Sequence, residues 1–373
     1  MDADFLVIGG GIAGASAGWA LAAHGRTVVL ERESAPGYHT TGRSAAQYTE
    51  LYGSVAIRAL ARLSKPFLEA PPQGFAEHSL LSPRGALFVG AGGDEAAIDA
   101  LLGFADGRSG IVRDIGAAGA CALVPALRPA VVKYALHEPA SQDIDVHALH
   151  GGFLKGLRSR GGTLATDADA TAIERRGGRW HVRCTAGEFA APVLVNAAGA
   201  WADAVAAMAG VRPIGLVPKR RTAIRFAPEP VMDISGWPLT IDASETWYIK
   251  PDAGRLMGSP ADETPSPPCD AQPEELDVAM AVDRIERATT LSIRRIEHRW
   301  AGLRSFAPDK TPVVGFAPDA EGFFWLAGQG GYGIKTSPAM AAATAALICK
   351  GELTSLYADE GLTAAMLAPD RFA

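Results

Sequence analysis

Residues 6–25 read LVIGGGIAGASAGWALAAHG, with no Asp, Glu, Lys or Arg among them. Such a run can be a membrane span, a secretion signal, or a buried strand leading through a turn into a helix. Asp2 and Asp4 precede it, where a signal peptide carries positive charge. Three consecutive glycines would cost a helix about 1 kcal/mol each relative to alanine. The stretch therefore resolves into a strand, Phe5–Ile8, a glycine turn, and a small-residue helix ending by Gly25. No other uncharged apolar run is comparably long, so no integral membrane segment is expected, and the chain reads as a cytoplasmic protein.

Gly9, Gly11 and Gly14 fit G-x-G-x-x-G, placed directly after the strand. The first glycine permits the tight turn, the second lets backbone approach a pyrophosphate, and the third allows close helix–strand packing. The helix start, with Ile12 and Ala13, offers unpaired N–H groups to phosphate. A second strand, Thr27–Leu30, ends at Glu31, where a carboxylate can accept a ribose hydroxyl, followed by Arg32. Strand, glycines, helix, strand and acid together predict a dinucleotide grip, equally suited to NAD or FAD.

Composition narrows the alternatives. The net charge is −6 and 48% of the 373 residues are hydrophobic, so no basic field invites nucleic acid. Cys121, Cys184, Cys269 and Cys349 form no C-x-x-C pair, which leaves neither metal-ligand nor dithiol spacing. No metal is expected.

Downstream segments favour a flavin. Residues 36–49, PGYHTTGRSAAQYT, form a polar loop in which Thr41, Gly42, Arg43, Ser44 and Ala46 can follow a second stretch of pyrophosphate. Residues 190–201, AAPVLVNAAGAW, are a strand running into a small-residue turn at Gly199. Residues 323–351 read as a strand, a glycine-rich loop and an alanine-rich helix, with Ser337 and Pro338 suited to the N-cap and N1, and Gly351 to the stop. Such a helix start can stabilise negative charge on a reduced flavin.

GYHTTGRSAAQYT, LLSPR, VLVNAAGAWADA, PKRRTA, YIKPDAG, WAGLRSF and GQGGYGIKTS, in that order, resemble the FAD-dependent D-amino-acid oxidase and dehydrogenase superfamily, which includes glycine and sarcosine oxidases. Within it they are most similar to bacterial D-arginine dehydrogenases. The resemblance implies an α/β fold: a Rossmann-like FAD domain of the glutathione-reductase type, interleaved with an α+β substrate domain containing an antiparallel sheet. The expected segments are 1–80, 143–212 and 296–373 for the FAD domain, and 81–142 and 213–295 for the substrate domain. Residues 248–259 read as two strands joined by a hairpin at 251–254, and 222–228 as another strand. Residues 261–273 read as a proline-rich surface loop, and 274–287 as a helix with Leu276, Met280, Val282 and Ile285 inward.

Oxidising an α-amino acid on a flavin requires a carboxylate clamp and an orienting frame rather than a side-chain nucleophile. A planar guanidinium matches a carboxylate bidentately. The resemblance places Arg221 and Arg304 in that clamp, with hydroxyls from Tyr52 and Tyr248, and the Gly302 carbonyl facing the amine. It assigns Ala170, Thr171, Gly331, Tyr332, Gly333, Ile334, Lys335 and Thr336 to the cofactor, with Lys335 adding positive charge near the flavin. No cysteine occurs in RSFAPDKTPVVG, where sarcosine-oxidase relatives carry their covalent link, so FAD is expected to be non-covalent.

Two positions depart from the D-arginine dehydrogenases. Gln47 replaces a histidine, and Ala86 replaces an acid that would pair with the substrate's guanidinium. With Thr49 and Glu50, these make up the expected substrate pocket; Glu50 is a possible substitute carboxylate. The expected substrate is therefore a neutral or hydrophobic D-amino acid, deaminated oxidatively to a 2-oxo acid and ammonia. The electron acceptor is left open between oxygen and a quinone-like carrier. Alternatives are a glycine- or sarcosine-type oxidase producing H2O2 and a 2-hydroxy-acid dehydrogenase.

Overall fold

The structure, a computed structural model, describes residues 1–105 and 111–372. Residues 106–110 and 373, part of the expected segments 81–142 and 296–373, lie outside the described residues.

The first layer is a six-stranded sheet in the order Val313–Phe316, Phe323–Ala327, Val193–Asn196, Phe5–Ile8, Thr27–Leu30, Thr163–Ala165. Its pairings are parallel except for the hairpin formed by the first two strands. The central strands are apolar throughout because both faces are covered. Leu6, Ile8, Val28 and Leu30 pack toward Trp180, Val182 and Phe189 of a three-stranded sheet (170–191). The alternate residues Val7, Val29 and Val195 pack toward helices Ile12–Leu21, Val55–Glu69 and Gly333–Lys350. One strand thus serves two cores through its period of two.

The helix Ile12–Leu21 can approach the sheet because its residues are small. A Cβ on Gly14 would sit 1.8 Å from the Gly9 carbonyl oxygen, and one on Gly18 would sit 2.6 Å from Val29 Cγ2. The helix Gly333–Lys350 starts four residues before the expected N-cap, with Tyr332 as its cap. Pro338 cannot donate to the Ile334 carbonyl, and the Ser337 hydroxyl donates to it instead at 3.0 Å. That local repair lets a Ser-Pro pair sit inside a helix. Gly351 ends it in the left-handed region, φ 79°, as expected.

The second layer is a large, mostly antiparallel sheet running from Thr264–Pro265 through Val217–Phe226, Arg255–Ser259, Tyr248–Asp252, Leu239–Asp242, Ala86–Gly90 and Tyr134–Glu138 to Arg113–Asp114. Ile296–Phe306 pairs along Val217–Phe226, so the expected boundary at 296 falls inside this sheet; the first layer resumes only with Val313–Phe316. The hairpin is present: Asp252 pairs with Arg255 across Ala253 (φ 48°) and Gly254 (φ 74°), the two positive φ values a tight, right-twisting hairpin requires.

Helix Glu275–Ala288 buries Val278, Ala281, Ile285 and Ala288. Leu276, expected inside, is 68% exposed, and Met280 and Val282 are half-buried. The inward face is rotated so that Asp277 meets Arg220, Nη2 to Oδ2 2.9 Å. Residues 261–273 are also more than a surface loop: Asp262 is buried and accepts from the Thr222 amide and hydroxyl. No helix among the described residues is long and apolar enough to cross a membrane.

Candidate active site

A cleft runs between the layers, enclosing about 1700 Å³ with its open mouth included. Its lining runs from Glu31 and Ala168 at one end to Tyr248 and Arg304 at the other, so a long cofactor and a substrate can share one cleft. One end is built from backbone. Gly9, Gly11, Ile12, Ala13, Glu31, Arg32, Thr41, Arg43, Ser44, Ala170 and Gly199 line it, and Gly331, Gly333 and Ile334 line its continuation toward the substrate end.

The glycine turn is braced from both sides. Glu31 accepts from the Gly10 amide at 2.7 Å and the Glu33 amide at 2.9 Å. His150, its pKa lowered mainly by burial, lies with Nε2 2.8 Å from the Gly10 carbonyl oxygen; as a neutral imidazole it donates there. A Cβ on Gly9 would stand 2.4 Å from the Ala197 carbonyl oxygen, so the two strand ends that form the cradle touch through glycine. The Thr41 hydroxyl accepts from the Ile12 amide at 3.0 Å, joining the polar loop to the helix start.

Arg43 does more than its sequence position suggests. Its guanidinium donates to the Ala301 carbonyl at 2.9 Å, the Ala271 carbonyl at 3.0 Å and Asp270 at 2.5 Å, while Tyr38 donates to the same carboxylate. Arg43 therefore ties a short strap, residues 270–271, to Ala301 beside the cleft. The Arg43 hydrogen bond holds the Asp270 carboxyl below its usual range. Trp201, which sequence reasoning did not select, packs against His39 with the rings tilted by 50° and lies under Arg32, whose Cζ is 4.6 Å from a Trp201 ring centroid.

Several expected cofactor residues lie off the cleft. Gly14 serves helix packing. Gly42 donates to the Gly37 carbonyl and shapes the loop. Ala46 packs into a neighbouring core. Thr171 is exposed, donating to the Arg183 carbonyl, because strand alternation turns it away from Ala170. Thr336 is fully buried and donates to the Tyr332 carbonyl. Lys335 is buried with its ammonium on the carbonyls of Thr49 (2.9 Å) and Tyr52 (3.0 Å), so its charge is directed at a loop rather than into the cleft.

The other end is built from side chains. Arg221, Tyr248, Gly302, Arg304 and Gly331 converge there. Arg221 is partly committed, Nε donating to the Asp262 carbonyl at 2.8 Å and Nη2 to Glu263 at 3.3 Å. Arg304 makes no hydrogen bond or ion pair among the described residues, and the same holds for the Tyr248 hydroxyl. Burial opposes the Arg304 charge, but the surrounding Tyr248, Tyr52 and Tyr332 phenols and Glu245 hold its pKa above the usual value. A Cβ on Gly331 would lie 2.8 Å from Arg304 Nη1, so glycine leaves room for the guanidinium. At Gly302 a Cβ would make only ordinary contacts, Arg43 Cβ at 3.6 Å and Thr40 Cα at 3.9 Å; protein packing does not demand glycine there.

Tyr52 and Tyr332, expected in the clamp and at the cofactor, do not line the cleft, and Tyr52 is set behind this point. Its hydroxyl donates to Glu245 at 2.7 Å and its ring packs edge-on against Tyr332, centroids 5.2 Å apart. Glu245 was not recognised in the sequence; its non-glycine left-handed backbone, φ 56°, gave no signal there. The expected pocket residues Gln47, Thr49, Glu50 and Ala86 do not line the cleft. Gln47 donates to the Gly85 carbonyl and Ser141. Thr49 donates to Glu138, and the Glu50 carboxylate meets Tyr48 and Lys65. Ala86 is fully buried within a strand, opposite Glu138. The apolar wall is supplied instead by Ala45, Ala223 and Met257.

A glycine-built dinucleotide cradle opening onto a free guanidinium defines a nucleotide-dependent oxidoreductase. Residues 4–347 match the family described as FAD dependent oxidoreductase, and the chain belongs to it. It is similar to an uncharacterised oxidoreductase of Bacillus subtilis, 26% identical over 59% of each chain, so it spans well under two thirds of that relative. It is also similar to glycine oxidase of Geobacillus kaustophilus, 24% identical over 96% of each. By structure it resembles L-proline dehydrogenase of P. horikoshii, with TM-score 0.84, 22% identity, and coverage of 100% of this chain and 98% of that one. The cradle of glycine contacts, the braced turn and the strap fit FAD.

Proposed function

We propose that this protein removes hydride from Cα of a D-amino acid with a neutral or apolar side chain, giving an imino acid that hydrolyses to a 2-oxo acid and ammonia. The observation that carries this reading is the Arg304 guanidinium, free of protein partners beside the free Tyr248 hydroxyl. A half-buried cation with no ion-pair partner among the described residues is a costly arrangement, and a substrate carboxylate relieves it. FAD, when bound, supplies the hydride acceptor.

The chain's own part is positioning. Arg304 takes the carboxylate, with Arg221 adding charge from its uncommitted Nη1 and Tyr248 one hydrogen bond. The Gly302 carbonyl receives the amine, whose extra proton leaves to solvent. Ala45, Ala223 and Met257 accept the side chain and keep water from Cα. The absence of cysteine from the cleft lining supports FAD held without a covalent link. The D configuration rests on the family resemblance alone; the relatives named for glycine and L-proline widen the class to amines generally.

The test is anaerobic mixing of the yellow holoenzyme with D-leucine, D-methionine, D-phenylalanine, D-arginine, glycine, sarcosine, L-proline and a 2-hydroxy acid. Loss of the flavin band near about 450 nm reports hydride transfer independently of the final acceptor. Bleaching by the neutral D-amino acids at least as fast as by D-arginine is expected. Bleaching by D-arginine alone would overturn the neutral-pocket reading and assign the distal cation to Glu245. Bleaching by none of the amines would overturn the amine reading altogether.

A further inference from the structure

The segment 47–52, which brings Tyr52 to the substrate end, is pinned from beneath by two buried charges of opposite sign. Lys335, 3% exposed, rises from the helix whose first turn lines the cleft and donates to the carbonyls of Thr49 and Tyr52. Glu138, 2% exposed, reaches over from the second layer, accepting from the Thr49 hydroxyl at 2.5 Å and the Glu50 amide at 3.1 Å. Ser141 adds a bond from its hydroxyl to the Tyr48 carbonyl at 2.7 Å. Neither charge lines the cleft, and a loop of this length does not need two buried ionic groups simply to stay folded; hydrophobic replacements of such pairs are often neutral or stabilising.

We infer that Glu138 and Lys335 are positioning residues that hold Tyr52 behind Arg304 by fixing both faces of the 49–52 backbone. Each contributes one sign: the ammonium gathers the carbonyls and the carboxylate gathers the donors. The two residues come from different layers, so the clamp sets the Tyr52 ring relative to Arg304, Tyr332 and Glu245 only when both layers are in register. The inference rests on the reading of Arg304 as the group that takes the substrate carboxylate.

The clamp also carries a pH signature. Burial pushes the Glu138 carboxyl up to about 7, partly offset by Thr49, the Glu50 amide and Lys335, while the neighbouring Glu50 charge pushes it further up. Burial pulls the Lys335 ammonium down to about 8; Glu138 and Glu50 oppose this, and Arg58 adds to it. The Tyr52 and Tyr332 rings face the same ammonium at 6.0 and 5.5 Å. A protonated Glu138 loses charge-assisted acceptance from the two donors, so the clamp weakens as pH falls through about 7.

The experiment compares holoenzyme with its Glu138→Gln and Lys335→Met variants by amide hydrogen exchange across 47–52 and by KM and kcat for D-leucine, or for whichever amine bleaches the flavin, from pH 6 to 8.5. Expected are exchange at least tenfold faster in both variants, KM raised at least tenfold, kcat changed no more than threefold, and an unaltered flavin spectrum. The wild-type rise in KM toward pH 6 disappears in Glu138→Gln, which a merely structural role would not produce. Unchanged exchange overturns the clamp itself. Faster exchange with unchanged KM overturns the link from Tyr52 through Arg304 to substrate binding, leaving the clamp as a folding device.

Discussion

The two ends of the cleft solve different problems with different materials. The nucleotide end is made of backbone at glycines, where what matters is the side chain that is missing. The substrate end is made of long side chains brought from residues 221, 248 and 304 by strands of the second layer, with Tyr52 and Glu245 behind them. A backbone site tolerates little geometric change but is indifferent to much side-chain chemistry. A side-chain site reverses this, and a one-atom change alters what it binds.

That contrast yields graded predictions. Arg304→Ala should have the largest effect, removing the cleft cation that has no hydrogen-bond or ion-pair partner among the described residues; kcat/KM is expected to fall by roughly 2–5 kcal/mol in transition-state stabilisation, while the flavin spectrum stays intact. A nearly unchanged kcat/KM would move the clamp to Arg221. Gly9→Ala should strike the opposite end: a Cβ 2.4 Å from the Ala197 carbonyl oxygen in a positive-φ position gives protein purified with little or no FAD, read from the ratio of visible to ultraviolet absorbance. Full flavin occupancy in that variant would break the division between the ends. Tyr248→Phe should cost about 1.5–3 kcal/mol, as for a hydrogen bond to a charged group, appearing in kcat/KM and not in FAD affinity. Tyr52→Phe should have the smallest effect, since it removes only the hydroxyl bonded to Glu245 and keeps the ring; a change of about 0.5–1.5 kcal/mol in kcat/KM is expected.

The same contrast explains what was legible in the sequence. Gly9, Gly11, Glu31 and the strands Phe5–Ile8 and Thr27–Leu30 could be placed because local spacing dictates them. Arg304 could be placed because apolar neighbours surround it. Lys335 could not: its helix position was clear, but whether its ammonium entered the cleft or gathered the carbonyls of Thr49 and Tyr52 depends on a loop nearly 300 residues away in sequence. Ala86 misled for a related reason. Its strand places it beside Glu138 in the interior, whereas the pocket wall comes from Ala45, Ala223 and Met257, three residues that meet only in the folded chain. Leu276 failed through helix phase, since Asp277, paired with Arg220, took the inward position.

The order of strands in the first sheet has a consequence for how the protein is made. Phe5–Ile8 lies beside Val193–Asn196, which in turn lies beside Phe323–Ala327. At a translation rate of about 5–20 residues per second, roughly 15–60 s separate the emergence of the first of these strands from the last. For much of that interval Phe5–Ile8 can pair only with Thr27–Leu30, and the groove they will form has one wall. The cofactor is therefore a late arrival, and the nascent chain passes through a long period in which its stickiest segment depends on chaperones, or on its own provisional contacts, to stay out of aggregates.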